Sequence, residues 1–212
     1  MFHNTKKRLE KLYADVEADP CGRVAEVQSE LEFIRAMHKH AVKLTDMLEA
    51  GEIPLRVTHN DTKTNNVLFD KKTGEPLVVI DLDTVMPGLA MHDFGDAVRF
   101  AASTAEEDEP DLSKVQLDLA KYTAFAEGFI GQIASVLTEK EIETMALGAL
   151  TITMELASRF LDDYITGDLY FKPKYEGHNL VRARCQLKLA EDMWAKFPQM
   201  EQIVRDIAAA NR

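Results

Sequence analysis

Two short apolar runs, Val67-Leu68-Phe69 and Leu77-Val78-Val79-Ile80, flank the connector Asp70-Lys71-Lys72-Thr73-Gly74-Glu75, and the long stretches on either side have helical spacing. The runs are short and partly β-branched, and the connector supplies the glycine and polar residues of a chain reversal. The stretch therefore predicts a β-hairpin. A chain built this way must hold one small hairpin among helices. The same pairing has a chemical consequence. Asn66 comes just before the first strand and Asp81 ends the second, so antiparallel pairing makes them neighbours.

Residues 1–50 read as helical. Val24, Val27, Leu31, Ile34, Met37, Ala41, Leu44 and Leu48 step by three or four, the period of one helix face. Gly51 suits the stop and Pro54 forbids continuation. Pro20-Cys21-Gly22 separates this helix from a shorter one carrying Leu9, Leu12, Tyr13 and Val16. Residues 52–100 form the middle segment with the hairpin. From about Leu112 the helical pattern returns, with a stripe of Leu119, Tyr122, Phe125, Phe129, Ile133 and Val136. Thr138-Glu139-Lys140-Glu141 is a capping-box signature opening a helix through Ile142, Met145, Ala149, Ile152, Leu156 and Phe160. Gly167 closes that region. A further helix spans about His178 to Phe197, and Pro198 suits the first turn of a last one. The expected fold is mainly α with a small β-hairpin (α+β), one unit over 1–212. The acidic run from Glu106 to Asp111 reads as a solvated loop.

Bulk properties narrow the function. The formal charge of −11 disfavours nucleic acid and anionic membrane surfaces as partners. A phosphate-bearing ligand would then need metal ions or a local cationic pocket. No apolar run approaches a membrane span, and the first residues lack a signal-peptide core. Cys21 and Cys185 have no metal or redox spacing, which points to reduced thiols and a cytoplasmic location.

The polar residues around the hairpin are ordered as phosphoryl transfer to a hydroxyl requires. Asp61 can take the hydroxyl proton. It needs little basicity, because the transition state is loose and positioning dominates. Lys63, on the same loop, can offset charge on the transferring phosphoryl group. Asn66 offers a neutral oxygen and Asp81 an anionic one, the hard donors that Mg²⁺ prefers. His59 reads as loop support rather than a second base, since Asp61 fills that role. Thr64 and Asn65 read as turn residues. Asp83 either caps the following loop or reaches a second metal. Asp93-Phe94-Gly95 is a literal DFG triplet, the metal-binding signature of protein kinases. No strand precedes it, whereas an apolar strand leads directly into Asp81. The metal role therefore goes to Asp81. Asp93 or Asp96 is expected as a buried carboxylate anchoring the loop, with Arg99 pairing to an acidic neighbour on its helix.

His59-x-Asp61, Asn66, the apolar strand and Ile80-Asp81 resemble the catalytic segment of the protein-kinase-like fold, and more closely the aminoglycoside phosphotransferase and choline kinase family. Lys63 departs from many small-molecule kinases, which have His there. Ile53-Pro-Leu-Arg-Val-Thr-His-Asn-Asp-Thr-Lys63, Arg159-Phe-Leu-Asp-Asp-Tyr164 and Gly167-Asp-Leu-Tyr-Phe171 resemble the N-acetylhexosamine 1-kinases. That resemblance implies ATP and Mg²⁺ as cofactors, with Lys63, Asn66 and Asp81 on the nucleotide and metal side. It implies the anomeric hydroxyl of an N-acetylhexosamine as acceptor, facing Asp61. Arg159 and Tyr170 become sugar contacts, and Asp96 a structural support. From the residues alone, Phe160, Tyr164, Tyr170 and Phe171 equally suit a core, and Arg159 a surface ion pair.

A kinase of this type also has an N-terminal β lobe with a phosphate-covering loop and a Lys–Glu pair. Residues 1–50 are helical and no Gly-rich cluster precedes Asp61, so the chain resembles the C-terminal lobe only. Weak nucleotide binding and weak or absent turnover without that lobe are expected. The alternatives are a kinase of choline, an amino alcohol or an aminoglycoside, or a ligand-binding lobe without catalysis. A carboxylate-lined pocket would favour a cationic acceptor.

Overall fold

The computed structural model describes residues 2–212. Helix α1 (Thr5–Ala18) begins on Asn4, whose side chain accepts the N–H of Lys7. The stripe from Val24 to Leu48 is not one helix. A 3₁₀ turn leads into α2 (Gln28–Ala41), and α3 (Lys43–Glu49) follows after a break at Val42. Ala41, Val42 and Leu44 are all buried, so the chain changes direction there without losing its apolar face.

The middle segment contains two two-stranded sheets rather than one hairpin alone. Strand β1 (Arg56–Thr58) will pair with a later strand. Strands β2 (Val67–Phe69) and β3 (Pro76–Val79) form the predicted hairpin, with Val67 opposite Val79. Asp70 accepts the backbone N–H groups of Lys72 and Thr73, and Gly74 takes the positive φ of 73° that the reversal needs. Strand β4 (Met86–Gly88) then pairs antiparallel with β1, Val57 lying opposite Pro87. That second pairing frames the hairpin. The loop 59–66 leaves from β1 and the loop 80–85 arrives at β4, so both loops start from paired backbone.

Helices α4 (Ala90–Ala101), α5 (Leu119–Ile133), α6 (Glu139–Glu143), α7 (Met145–Ile165), α8 (His178–Ala195) and α9 (Phe197–Ala210) complete the chain. This mainly α arrangement around a small hairpin is that of a kinase-like C-lobe. Helix α7 is buried along nearly its whole length and packs against α1, α4 and α8. Its crossing with α4 depends on two glycines. A Cβ on Gly148 would overlap the Met91 carbonyl, and one on Gly95 would overlap the Gly148 carbonyl, so the two backbones touch. The capping box of Thr138 and Glu141 forms as expected. Glu141 is also buried beneath Arg56, which donates to both its oxygens at 2.9 and 2.7 Å and so ties β1 to α6.

The acidic run is not simply solvated. Glu107 accepts from Arg99, Asp108 from Lys174 and His178, and Glu109 from Lys114. These donors hold the run against the protein, and Lys174 and His178 come from far along the chain. Cys21 is exposed and Cys185 buried, both as free thiols. Among the described residues no helix is long and apolar enough to cross a membrane.

Candidate active site

The loop between β1 and β2 is held from several directions. Thr58 donates to Asn60 Oδ1 at 3.0 Å, and the Asn60 amide donates to Thr84 O at 2.9 Å. Asn60 itself has a φ of 65°, a left-handed conformation that needs such support. The anchoring carboxylate is Asp93. It accepts the backbone N–H of His59 at 2.8 Å and of Asn60 at 2.7 Å, and its carbonyl accepts from Thr62 at 2.6 Å. Burial raises the Asp93 pKa, and the two N–H groups and the nearby histidines only partly offset this. Asp96, expected as a structural support, makes no hydrogen bond to the loop. One turn further along α4, it pairs with Arg99 at 2.9 Å and lines the adjoining cleft.

The DFG triplet therefore has three packing roles. Asp93 fixes the loop, Phe94 is fully buried against Tyr122, Phe125 and Phe129, and Gly95 permits the α4–α7 contact. Both Asp93 oxygens already serve backbone donors, an arrangement unsuited to a metal.

Asp61, Lys63 and Asn66 converge on one carboxylate oxygen. Lys63 Nζ and Asn66 Nδ2 both lie 2.9 Å from Asp61 Oδ2, and Asn66 Nδ2 also donates to the Asp61 carbonyl at 2.8 Å. Asp61 Oδ1 is left without a partner among the described residues. His59 bridges the loop to the hairpin end, with Nε2 donating to Ile80 O at 3.1 Å and Nδ1 accepting from Asp61 N at 3.3 Å.

On the hairpin side, Ile80 N donates to Asn66 O at 2.9 Å, which places Asp81 one residue from Asn66's backbone partner. Asp81 is exposed in a left-handed conformation, φ 61°, and no hydrogen bond or ion pair engages its carboxylate among the described residues. The donors of the Asn66 amide face Asp61, which leaves its oxygen for another ligand. Two free hard-oxygen donors on a hairpin end fit Mg²⁺, which takes one or two protein ligands and fills its other positions with water and phosphate. Asp83 is likewise exposed.

A cleft of about 500 Å³ opens beside this loop. Asp61, Lys63, Arg159 and Tyr170 all border it, so the structure brings the predicted base and the predicted sugar contacts to one cavity. Arg159 lies over the rings of Tyr170 and Phe171, 5.6 and 5.1 Å from their centroids. The aromatic loop is fixed by Asp163, which accepts the N–H groups of Tyr170 at 2.7 Å and Phe171 at 2.8 Å. Asn179 donates to both Asp163 and Asp168 beneath it. Sequence reasoning missed Asp163 and Asn179 as supports, and missed His3, Glu155 and Arg182 as cleft residues. Gly167 next to an acidic residue and two aromatics was the only local signal for this loop. The others come from distant parts of the chain.

A loop carboxylate bordering a cleft, and free oxygens on the hairpin end, are parts that phosphoryl transfer uses. Residues 1–128 match the model of the phosphotransferase enzyme family, and the chain belongs to that family.

Proposed function

We propose that the chain is the catalytic C-terminal lobe of an ATP- and Mg²⁺-dependent kinase that phosphorylates the anomeric hydroxyl of an N-acetylhexosamine. The observation that carries this reading is the shared cleft of Asp61, Lys63, Arg159 and Tyr170. The free Asp61 oxygen takes the acceptor hydroxyl's hydrogen bond and then its proton, while Lys63 and Asn66 fix the other oxygen. Lys63 adds positive charge beside the transferring group. A bound Mg²⁺ would neutralise charge on the nucleotide phosphates, and Asn66 and Asp81 are the residues that would hold it. Arg159 and the Tyr170 ring offer hydrogen bonds and a stacking face to a neutral sugar. The carboxylates lining the cleft are matched by as many Lys and Arg side chains, and Arg159 among them has no carboxylate partner among the described residues, which argues against a cationic acceptor such as choline or an aminoglycoside.

The hairpin's outer surface bears on the nucleotide side. Leu68 and Val78, cross-strand partners on one face of the hairpin, are 48% and 51% exposed. Our reading places an N-terminal β lobe over this apolar face, where it would close the adenine side. Without that lobe, nucleotide binding and turnover are weak. Titration calorimetry of the chain with N-acetylglucosamine, N-acetylgalactosamine and choline tests the acceptor class. Heat with either sugar, lost in Arg159→Ala, supports the proposal. Heat with choline alone would sink it.

A further inference from the structure

We propose that His3 and Glu155 are positioning residues for Asp61: a protonated His3, paired with the Glu155 carboxylate, holds the Asn60 carbonyl and so sets the peptide plane from which Asp61 projects. The proposal rests on the reading of Asp61 as the residue facing the acceptor hydroxyl. Its evidence is separate. Both ring nitrogens of His3 face oxygen, Nδ1 at 2.8 Å from Glu155 Oε1 and Nε2 at 3.0 Å from Asn60 O. A carbonyl only accepts, and so does an ionised carboxylate. A neutral imidazole has one N–H and would leave the other contact lone pair against lone pair. The geometry therefore calls for one extra proton on the His3–Glu155 pair. Glu155 is satisfied at its second oxygen by Thr5 Oγ1 at 2.7 Å.

The pair is enclosed. His3 and Glu155 are 6% and 2% exposed, so neither exchanges its partner cheaply for water. The groups around His3 are Glu155 of α7, His92 and Asp96 of α4, and Asn60 and Asp61 of the loop. His92 does not compete for the charge. Its ring lies 5.3 Å from that of His3, it has no hydrogen-bond partner, and burial pushes its pKa down to about 3. Burial alone would lower the His3 pKa as well, but the hydrogen bond and charge of Glu155 outweigh it and leave it raised. The Asn60 carbonyl and the Asp61 N–H belong to one peptide unit. Asp93 holds the preceding N–H of Asn60 at 2.7 Å, so His3 supplies the constraint on the other side. The sign follows from the raised pKa. The charged pair persists above the ordinary histidine range and is lost as pH rises through the raised value.

The test is an NMR pH titration of the whole chain labelled with ¹⁵N. At pH 7, both His3 ring nitrogens are expected to carry protons. As pH rises, the Asp61 backbone amide should shift with the same midpoint as His3. In Glu155→Gln that shared midpoint should fall by a pH unit or more. His59, whose Nδ1 accepts the Asp61 N–H, also moves this amide, so in His3→Gln only the step at the His3 midpoint should vanish while the far-ultraviolet dichroism stays that of a folded chain. A neutral His3 at pH 7 would overturn the proposal, as would an Asp61 amide indifferent to His3. The wild-type titration alone decides this if a variant fails to fold. No phosphoryl transfer is read, so failure here is distinct from failure of Asp61 as the base, which Asp61→Ala tests by activity.

Discussion

Asn66 donates its side-chain amide to Asp61 Oδ2 at 2.9 Å, and this bond fixes which end of the amide is left for a metal. Asn66→Asp would replace a donor with a second acceptor and set two carboxylates face to face. Two such groups repel each other at that distance when both are ionised. At neutral pH the variant should lose about 1 kcal/mol of stability, modest because Asp61 is partly exposed. Acidification to pH 4 should recover much of that loss by adding a proton to the pair. Urea unfolding at the two pH values checks it. An equal deficit at both would mean that charge repulsion is not the cause.

Asp81 and Asp93 separate by the same logic. Asp93 uses its two oxygens on the His59 and Asn60 N–H groups. Asn at this position can accept only one of them, so Asp93→Asn should lower stability by roughly 1–3 kcal/mol. Asp81 is exposed and bonds to nothing among the described residues, so Asp81→Asn should leave the unfolding midpoint in place. In a protein with the N-terminal lobe present, Asp81→Asn should instead weaken Mg²⁺-dependent nucleotide binding by at least about tenfold. Calorimetry and urea unfolding on both variants would show whether the roles are exchanged.

What the sequence reveals here depends on how local each relationship is. The hairpin was readable because its short apolar runs and turn lie within a few residues of one another. Asp61, Lys63 and Asn66 were readable for the same reason, since one loop carries them all. The pairing of β1 with β4 was not, because three-residue strands containing Pro87 and Gly88 have no alternation to detect. Asp93 and Asp96 lie one helical turn apart, and only the orientation of α4 decides which faces the loop. His3 and Glu155 gave no signal at all. One precedes the first helix and the other lies inside a continuous apolar pattern on α7.

That orientation of α4 rests on glycine. Gly148→Ala would drive a methyl group into the Met91 backbone carbonyl, which cannot move aside as a side chain can. Separating α4 from α7 should lower stability by about 1–3 kcal/mol. It should also disturb the cleft, because Asp96 and Arg99 on α4 face Glu155 and Arg159 on α7 across it. Gly128 in α5 provides the contrast, with nothing near the position of an added Cβ. Gly128→Ala should be neutral or stabilising by about 0.5–1 kcal/mol through helix propensity. The urea midpoint should fall for Gly148→Ala and hold or rise for Gly128→Ala. A shared direction would discount the crossing as the reason for Gly148.

The acidic segment gives a pH prediction. Asp108 accepts from Lys174 at 2.8 Å and from His178 at 3.0 Å, and these partners hold its pKa down to about 2. A carboxylate with a depressed folded-state pKa contributes its full stabilisation above the ordinary Asp value. That contribution is lost as pH falls from there toward 2. The segment should therefore stay docked on α8 at pH 4 and release only in stronger acid. Backbone amide shifts of Glu107 and Glu109 should change between pH 4 and 2, with a midpoint below that of a free carboxylate. Asp108→Asn should abolish that step and leave the segment more mobile at pH 7, because a neutral amide cannot pair with the Lys174 ammonium. If the wild-type amides titrate at the ordinary Asp value, the ion pair does not hold the segment in solution.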